Sequence, residues 1–197
     1  FAFDHDEIVA EQQPEQRHEI LHEVQEADRR AFVTLHADLA DLQLFLRQLP
    51  AEEPLLAVGL GSNLLVRDGG FRGMVLLMAG ALAELRMDGD SLVYAQAGVP
   101  GGKLARFAAT NNLCGAEFFA GIPGTLGGML AMNAGCYGSE TWQKVERVQV
   151  LTRRGELLER MPDEYEIGYR HVAKREASEE FFVGAWLKLE PGDVEAA

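Results

Sequence analysis

The sequence predicts an α+β protein, and three observations carry the prediction. Early in the chain, apolar strand-like runs alternate with a helical pattern, the mark of a small parallel α/β unit. Late in the chain, longer apolar runs are joined by a tight turn, which points to antiparallel sheet. Between them lies GIPGTLGGMLAMNAGC, residues 121–136, with five glycines, a proline and no charged side chain. Each glycine costs conformational entropy on folding, so such a density calls for hard turns, a ligand, or both.

Bulk properties bound the answer. A chain of 197 residues is one large domain or two small ones, and it can bury roughly 70% of its unfolded surface. Its 47% hydrophobic and 25% charged content is that of an ordinary globular protein. A net charge of −13 argues against nucleic acid as a partner, because no basic stripe is present to neutralise phosphates. It argues equally against an anionic membrane. Any anionic ligand must therefore lean on backbone N–H groups. No apolar run approaches the ~20 residues of a membrane span, and no signal-peptide pattern opens the chain. Cys114 and Cys136 make no disulfide framework, and no Cys/His spacing suggests a metal site. The expected location is cytoplasmic. Charge favours solubility and leaves the oligomeric state open.

The elements follow in order. Residues 1–30 hold nine acids against three arginines. Ile20, Leu21, Val24 and Ala27 recur there at helical spacing between Glu15 and Arg30, after Pro14. DLADLQLFLRQL, residues 38–49, places Leu39, Leu42, Leu46 and Leu49 on one face, an amphipathic helix. PLLAVGLGSNLLVRDGGFRGMVLLM, residues 54–78, reads as strand, glycine turn, second strand, DGG turn and third strand. SLVYAQAGV, residues 91–99, is a strand. GGKLARFAATNNL is a helix closed by an Asn-Asn pair suited to a C-cap. VERVQVLTRRGELLER reads as a hairpin turning near Arg154-Gly155, and EEFFVGAWLKLEPGD as a further strand.

Three stretches can carry chemistry. In VGLGSNLLV, residues 58–66, glycines let successive N–H groups converge on one point as an anion nest, and Ser62 and Asn63 add side-chain donors. The alternative is a tight turn between strands. A dinucleotide fingerprint is excluded, since the third glycine and following helix are missing. In the second stretch, Pro123-Gly124-Thr125-Leu126-Gly127-Gly128 opens a short helix, MLAMNA. Its N-terminal N–H groups and dipole offer a pyrophosphate seat needing no lysine or arginine. Gly127 and Gly128 allow close approach of a ring or phosphate, and Asn133-Ala134-Gly135 ends the helix and supplies another donor. The alternative is a glycine-capped helix packed tightly on a sheet. In the third, EIGYRHV, Arg170 is suited to stabilise developing negative charge, or else pairs with Glu164 or Glu166 on the surface. His171 reads as solvated or structural. The two cysteines read as small apolar residues without a neighbouring base.

Taken together, GLGSNLLVRDGGFRG, AGVPGGKLARFAATNNLCGAEFFAGIPGTLGGMLAMNAGCYGSE and IGYRHV resemble the bacterial UDP-N-acetylenolpyruvoylglucosamine reductase (UDP-N-acetylmuramate dehydrogenase) family over about residues 31–193. The resemblance implies a vanillyl-alcohol-oxidase-type (PCMH-like) FAD-binding domain at 31–193, with lobe 1 at about 31–95 and lobe 2 at about 96–193. An atypical acidic segment at 1–30 precedes it, and a tail at 194–197 marks where a substrate domain would begin. It implies non-covalent FAD, with NADPH as co-substrate and a UDP-sugar as substrate. NADPH reduces FAD, and the flavin then passes hydride to the vinyl carbon of an enolpyruvyl ether.

By position, the implied cofactor-binding residues are Gly59, Gly61, Ser62, Asn63 and Leu64 in the first loop. In the second they are Gly121, Ile122, Pro123, Gly124, Thr125, Gly127 and Gly128, followed by Asn133, Ala134 and Gly135. Gly98 stands where a strand end approaches the cofactor. Arg170 matches the active-site arginine that stabilises an enolic carboxylate, with Tyr169 beside it at the substrate. The family's third domain, with its proton-donating serine and assisting glutamate, has no counterpart here, so this chain is expected to supply the FAD-binding part without turnover alone. Two rivals remain open: another oxidoreductase of the same FAD-binding superfamily, and a truncated, non-catalytic flavin-binding or interaction module. Relatives of the first kind often tether flavin through His or Cys, and neither glycine loop contains a histidine.

Overall fold

The computed structural model describes residues 32–68, 70–176 and 178–192. The acidic segment 1–30 with its expected helix, and the tail at 194–197, lie outside the described residues. Strands β1 (Phe32–Leu35), β2 (Leu55–Val58) and β3 (Met74–Leu77) form a parallel sheet in the order β1-β3-β2. Their apolar runs suit parallel strands covered by other elements. Helix α1 (Leu39–Gln48) is capped by Asp38, whose carboxylate accepts from the Asp41 N–H at 2.9 Å. Leu42, Phe45 and Leu46 of its apolar face are buried against Met74, Leu76 and Met78. This is the expected parallel α/β unit.

The second strand expected at NLLV does not form. Because β2 and β3 are parallel neighbours, the chain between them must return from the C-terminal end of β2 to the N-terminal end of β3. It is a crossover and has no strand slot to fill. Leu64, Leu65 and Val66 are consequently exposed, Leu65 at 89%.

The second sheet is antiparallel. It comprises β4 (Leu85–Met87), β5 (Leu92–Gln96), β9 (Val145–Thr152), β10 (Leu157–Arg160) and β13 (Glu180–Lys188), in the order β10-β9-β13-β5-β4. The short strands β6 (Leu113–Cys114), β7 (Gly135–Cys136), β8 (Ser139–Glu140) and β14 (Glu190–Pro191) pair at its periphery. The expected hairpin is β9–β10, and Gly155 takes the left-handed conformation at its turn (φ 71°). β4 and β5, which the expected division near residue 95 assigns to the first lobe, hydrogen-bond in this second sheet.

Period-two alternation sorts the sheet's faces. Val93, Ala95, Val148, Val150, Ala185 and Leu187 face a core shared with α2 (Gly101–Thr110) and the short helix α3 (Leu126–Ala131). On the other face, Tyr94 packs against Trp186 with ring centroids 4.7 Å apart and the rings tilted by 50°, with Arg86 over the tyrosine and Arg147 over the indole. Asp88 accepts from the Trp186 indole N–H at 2.6 Å. These long side chains cover one part of that face, and α1 covers another. The two sheets share a second core, in which α1 packs against Leu151, Phe181 and Val183. Arg153 adds hydrogen bonds from its guanidinium to the carbonyls of Pro50 and Glu53.

A separate hairpin carries the EIGYRHV stretch. β11 (Tyr165–Gly168) and β12 (His171–Lys174) pair antiparallel, with Tyr169 and Arg170 at the tip. At its base, the buried carboxylate of Glu180 accepts from Lys174 Nζ at 2.8 Å and from Arg160 Nη2 at 2.7 Å. Burial pushes the Glu180 carboxyl up, but the hydrogen bonds from Arg160 and Lys174 outweigh it and hold the pKa below the ordinary 4.5. The folded pKa is thus the lower one, so this stabilisation is full above the unfolded value and is lost as pH falls through the folded value. Glu180→Gln is expected to destabilise the protein by about 1–3 kcal/mol at neutral pH. In urea melts, its difference from the parent should shrink below about pH 4.5. A pH-independent difference would reject the assignment.

Candidate functional site

A cleft of about 370 Å³ opens between the end of the parallel sheet and the glycine-rich stretch around α3. One wall is the end of β2 and the loop after it: Leu56, Ala57, Val58, Gly59, Leu60, Gly61, Ser62, Asn63 and Leu64. The other is Gly121, Ile122, Pro123, Gly124 and Thr125, then Gly128, Met129, Ala131, Met132, Ala134 and Gly135. Arg170 closes one side and is the only charged residue in the lining among the described residues. Two glycine stretches about 60 residues apart in sequence therefore face each other.

The first loop presents the donors. Gly61 adopts φ 69° and accepts at its carbonyl from the Leu64 N–H at 3.0 Å, curling the loop. The N–H groups of Gly61, Ser62 and Asn63 have no acceptor among the described residues. Three adjacent free N–H groups in a curled loop make an anion nest.

The second stretch behaves differently from expectation. Its helix starts at Leu126, so Gly127 and Gly128 lie inside the first turn. The N–H groups of Leu126 and Gly127 are not free: they donate to the carbonyls of Val99 and Ala97 at 2.9 and 2.8 Å. The Ile122 and Gly124 N–H groups donate to Phe119 and Ile122 carbonyls. The helix entrance is held against the corner between β5 and α2, where Pro100 and Thr125 form an antiparallel bridge. The expected seat at this helix N-terminus therefore keeps only part of its donors: the N–H groups of Leu126 and Gly127 are spent within the fold, whereas those of Thr125 and Gly128 have no acceptor among the described residues. The first loop presents the run of three adjacent free donors, and the second stretch forms the opposing wall.

Individual glycines separate by what a Cβ would meet. At Gly59 it would strike the Thr125 hydroxyl. Thr125 is 1% exposed, and its Oγ1 has no hydrogen-bond partner among the described residues, an arrangement in want of a ligand atom. At Gly124 a Cβ would touch Ser62 Oγ at an ordinary 3.7 Å, and at Gly128 it would enter open space. Gly128 is thus the glycine that leaves room in the cleft. At Gly127 a Cβ would press on Ala97 at 3.0 Å, so this glycine serves helix-on-strand packing. Gly121 and Gly135 make room for Cys136 and for the Ser139 carbonyl.

Gly98, Gly127, Asn133 and Tyr169 are outside the cleft lining. Gly98 packs on backbone at the corner after β5. Tyr169 is 83% exposed at the hairpin tip. Asn133, expected to supply a donor, is buried with φ 43° and donates instead to Glu140 Oε2 and the Gly168 carbonyl, while accepting from the Trp142 N–H. It ties the end of α3 to the hairpin that carries Arg170. Asn133→Ala is expected to destabilise the protein by about 1–3 kcal/mol by orphaning these buried groups. Chemical denaturation checks it, and a change under 0.5 kcal/mol, on the order of an ordinary surface substitution, would contradict the role. Arg170 pairs with neither expected glutamate. Glu164 is engaged by Arg160, and the Arg170 guanidinium donates to Asn63 Oδ1 at 2.8 Å.

Sequence reasoning missed Leu56, Ala57, Met129, Ala131 and Met132. Each is an apolar residue flanking a glycine loop, with nothing in its type to set it apart from core. Among the described residues, no helix is long and apolar enough to cross a membrane.

Comparison with known proteins agrees with this geometry. A family model described as FAD binding domain matches residues 31–160. The chain is 52% identical to the UDP-N-acetylenolpyruvoylglucosamine reductase of Thiobacillus denitrificans over 182 residues, covering 86% of this chain and 56% of that protein. It is 56% identical to the reductase of the same name from Alkalilimnicola ehrlichii over 160 residues, covering 81% and 53%. The crystal structure of UDP-N-acetylenolpyruvylglucosamine reductase from Thermus caldophilus superposes with a TM-score of 0.68 at 29% identity, covering 84% of this chain and 57% of that one. The chain spans about half the length of the curated relatives it matches. On the family match over residues 31–160, the sequence identity and the structural superposition, the chain belongs to the FAD-binding domain family and is homologous to the FAD-binding portion of UDP-N-acetylenolpyruvoylglucosamine reductases.

Proposed function

We propose that the cleft holds FAD non-covalently, and that the complete protein uses NADPH to reduce a UDP-N-acetylglucosamine enolpyruvyl ether to UDP-N-acetylmuramate for peptidoglycan synthesis. The observation that carries this reading is the facing pair of loops, with a free N–H nest on one side and the buried, unpartnered Thr125 hydroxyl on the other. Such a site takes a diphosphate without lysine or arginine, which suits a chain of charge −13. Bound FAD would supply hydride transfer between nicotinamide and substrate.

This chain's own residues have distinct tasks. Gly61, Ser62 and Asn63 would donate to the diphosphate, with Gly59 and Leu64 shaping that loop. Gly121, Ile122, Pro123, Gly124, Thr125 and Gly128 would form the opposing wall, with Ala134 and Gly135 at its end. Gly98, Gly127 and Asn133 would act from behind it by fixing the wall's position. Arg170, the one cation lining the cleft among the described residues, would oppose negative charge on an enolic carboxylate, with Tyr169 beside the substrate. We take the two lobes as units that divide between β3 and β4, where the hydrogen bonding passes from one sheet to the other. Free Cys114 and Cys136 suit a reducing cytoplasm.

The test is a visible spectrum of the purified chain after mixing with FAD and desalting. The expected result is a retained, shifted flavin spectrum, with all flavin released on acid precipitation. A folded chain that elutes colourless refutes the cofactor site.

A further inference from the structure

Asn63 occupies an unusual place. Its side-chain amide spans the mouth of the cleft, accepting at Oδ1 from Arg170 Nη2 at 2.8 Å and directing Nδ2 at Met132 Sδ at 3.0 Å. A thioether is a weak acceptor, so the Nδ2 donor is poorly satisfied, whereas the Oδ1 acceptor is engaged by a full cation. The partner is also held with care. Arg170 has a left-handed backbone, φ 51°, a conformation unfavourable to a non-glycine residue. Its hairpin is fixed at the base by Glu180 and near the tip by Asn133. Three elements distant in sequence thus meet at one amide: the β2 loop, the end of α3, and the β11–β12 tip.

Hydrogen bonds in a chain polarise one another. A guanidinium donating to Oδ1 withdraws electron density from the amide and makes its N–H₂ a stronger donor. The N–H₂ lies on the loop whose neighbouring backbone N–H groups form the nest.

We propose that Asn63 is a positioning residue that couples the two halves of the site, so that Arg170 strengthens diphosphate binding through the Asn63 amide and FAD in turn fixes Arg170. The coupling rests on the proposal that the cleft holds FAD. It is reciprocal: whatever Arg170 adds to FAD affinity, FAD returns to the placement of Arg170. Cofactor binding then tightens the placement of the group that stabilises substrate charge.

The experiment is a double-mutant cycle on the full chain. FAD affinity is measured by quenching of flavin fluorescence for the parent, Asn63→Ala, Arg170→Ala and the double variant. Both positions are exposed, and circular dichroism verifies folding. The expected result is weakening by about tenfold for Asn63→Ala and about fivefold for Arg170→Ala, with the double variant no weaker than Asn63→Ala. The Asn63 side-chain amide signals in a ¹H–¹⁵N spectrum should also move on adding FAD, and move less in Arg170→Ala. Multiplying effects, to about 50-fold in the double variant, would mean that Arg170 acts directly through space and would overturn the coupling. An unchanged affinity in Arg170→Ala would do the same. A parent protein that binds no FAD refutes the cofactor reading and this proposal with it; binding with independent effects refutes the proposal alone.

Discussion

Gly59→Ala is expected to weaken FAD binding by about 30- to 100-fold, roughly 2–3 kcal/mol, while leaving the melting temperature within a few degrees of the parent. The added methyl points at the Thr125 hydroxyl, and the two cannot occupy the same space. Thr125 cannot yield. It is buried at the start of α3, and its neighbours are bonded to the β5–α2 corner through Leu126 N–H to the Val99 carbonyl and Gly101 N–H to the Gly124 carbonyl. The β2 loop is half-exposed and must move instead. It carries the Gly61–Asn63 donors with it, and a displaced nest loses its convergence on one point. Thr125→Ala removes the obstructing oxygen, so adding it to Gly59→Ala should recover part of the affinity. Fluorescence titration checks both variants. Retention of parental affinity by Gly59→Ala would show that the loop separation is not what sets the site.

Gly98→Ala is expected to act on stability, lowering it by about 3–4 kcal/mol and the melting temperature by roughly 6–16 °C. A Cβ at this position would meet the backbone carbonyl oxygens of Met78 and Leu82. Backbone is a harder obstacle than a side chain because it has no rotamer to change. Both neighbours are also fixed: the Met78 N–H donates to the Val58 carbonyl at 2.8 Å, and the Gly98 N–H donates to the Leu82 carbonyl at 2.7 Å. The clash therefore falls where the chain passes from the parallel sheet to the antiparallel one. Thermal melts followed by circular dichroism measure it. If the variant keeps its melting temperature and loses only FAD, Gly98 faces the cofactor and the packing explanation is wrong.

The contrast between these glycines shows where sequence reading stops. From sequence, Gly59, Gly98, Gly127 and Gly128 look alike: each sits at the end of an apolar run and each matches the family's cofactor stretches. In space they have four different neighbours, namely a threonine hydroxyl, two backbone carbonyls, an alanine side chain and open cleft. Asn133 makes the same point. As a polar residue after a helix it reads as a free donor, yet its amide is saturated by Glu140, Gly168 and Trp142. The expected strand at NLLV shows a related limit. Apolar content marked the segment as sheet, but strand formation needs a neighbour, and a crossover between parallel strands has none.

What the sequence determined by itself was whatever local chemistry enforces. The amphipathic face of α1, the Asn-Asn end of α2, the hairpin turning at Gly155 and the two glycine stretches are set by periodicity and backbone permissiveness within a few residues. Order and spacing of the glycine stretches were enough to identify the family. The tertiary structure alone decided where each donor's hydrogen bond goes. The Leu126 and Gly127 N–H groups are consumed by residues some 30 positions earlier, and Arg170 reaches Asn63 across 107 positions. Every buried backbone donor must find an acceptor, and the acceptor's identity depends on which distant segment the fold brings within about 3 Å, a distance no local pattern encodes.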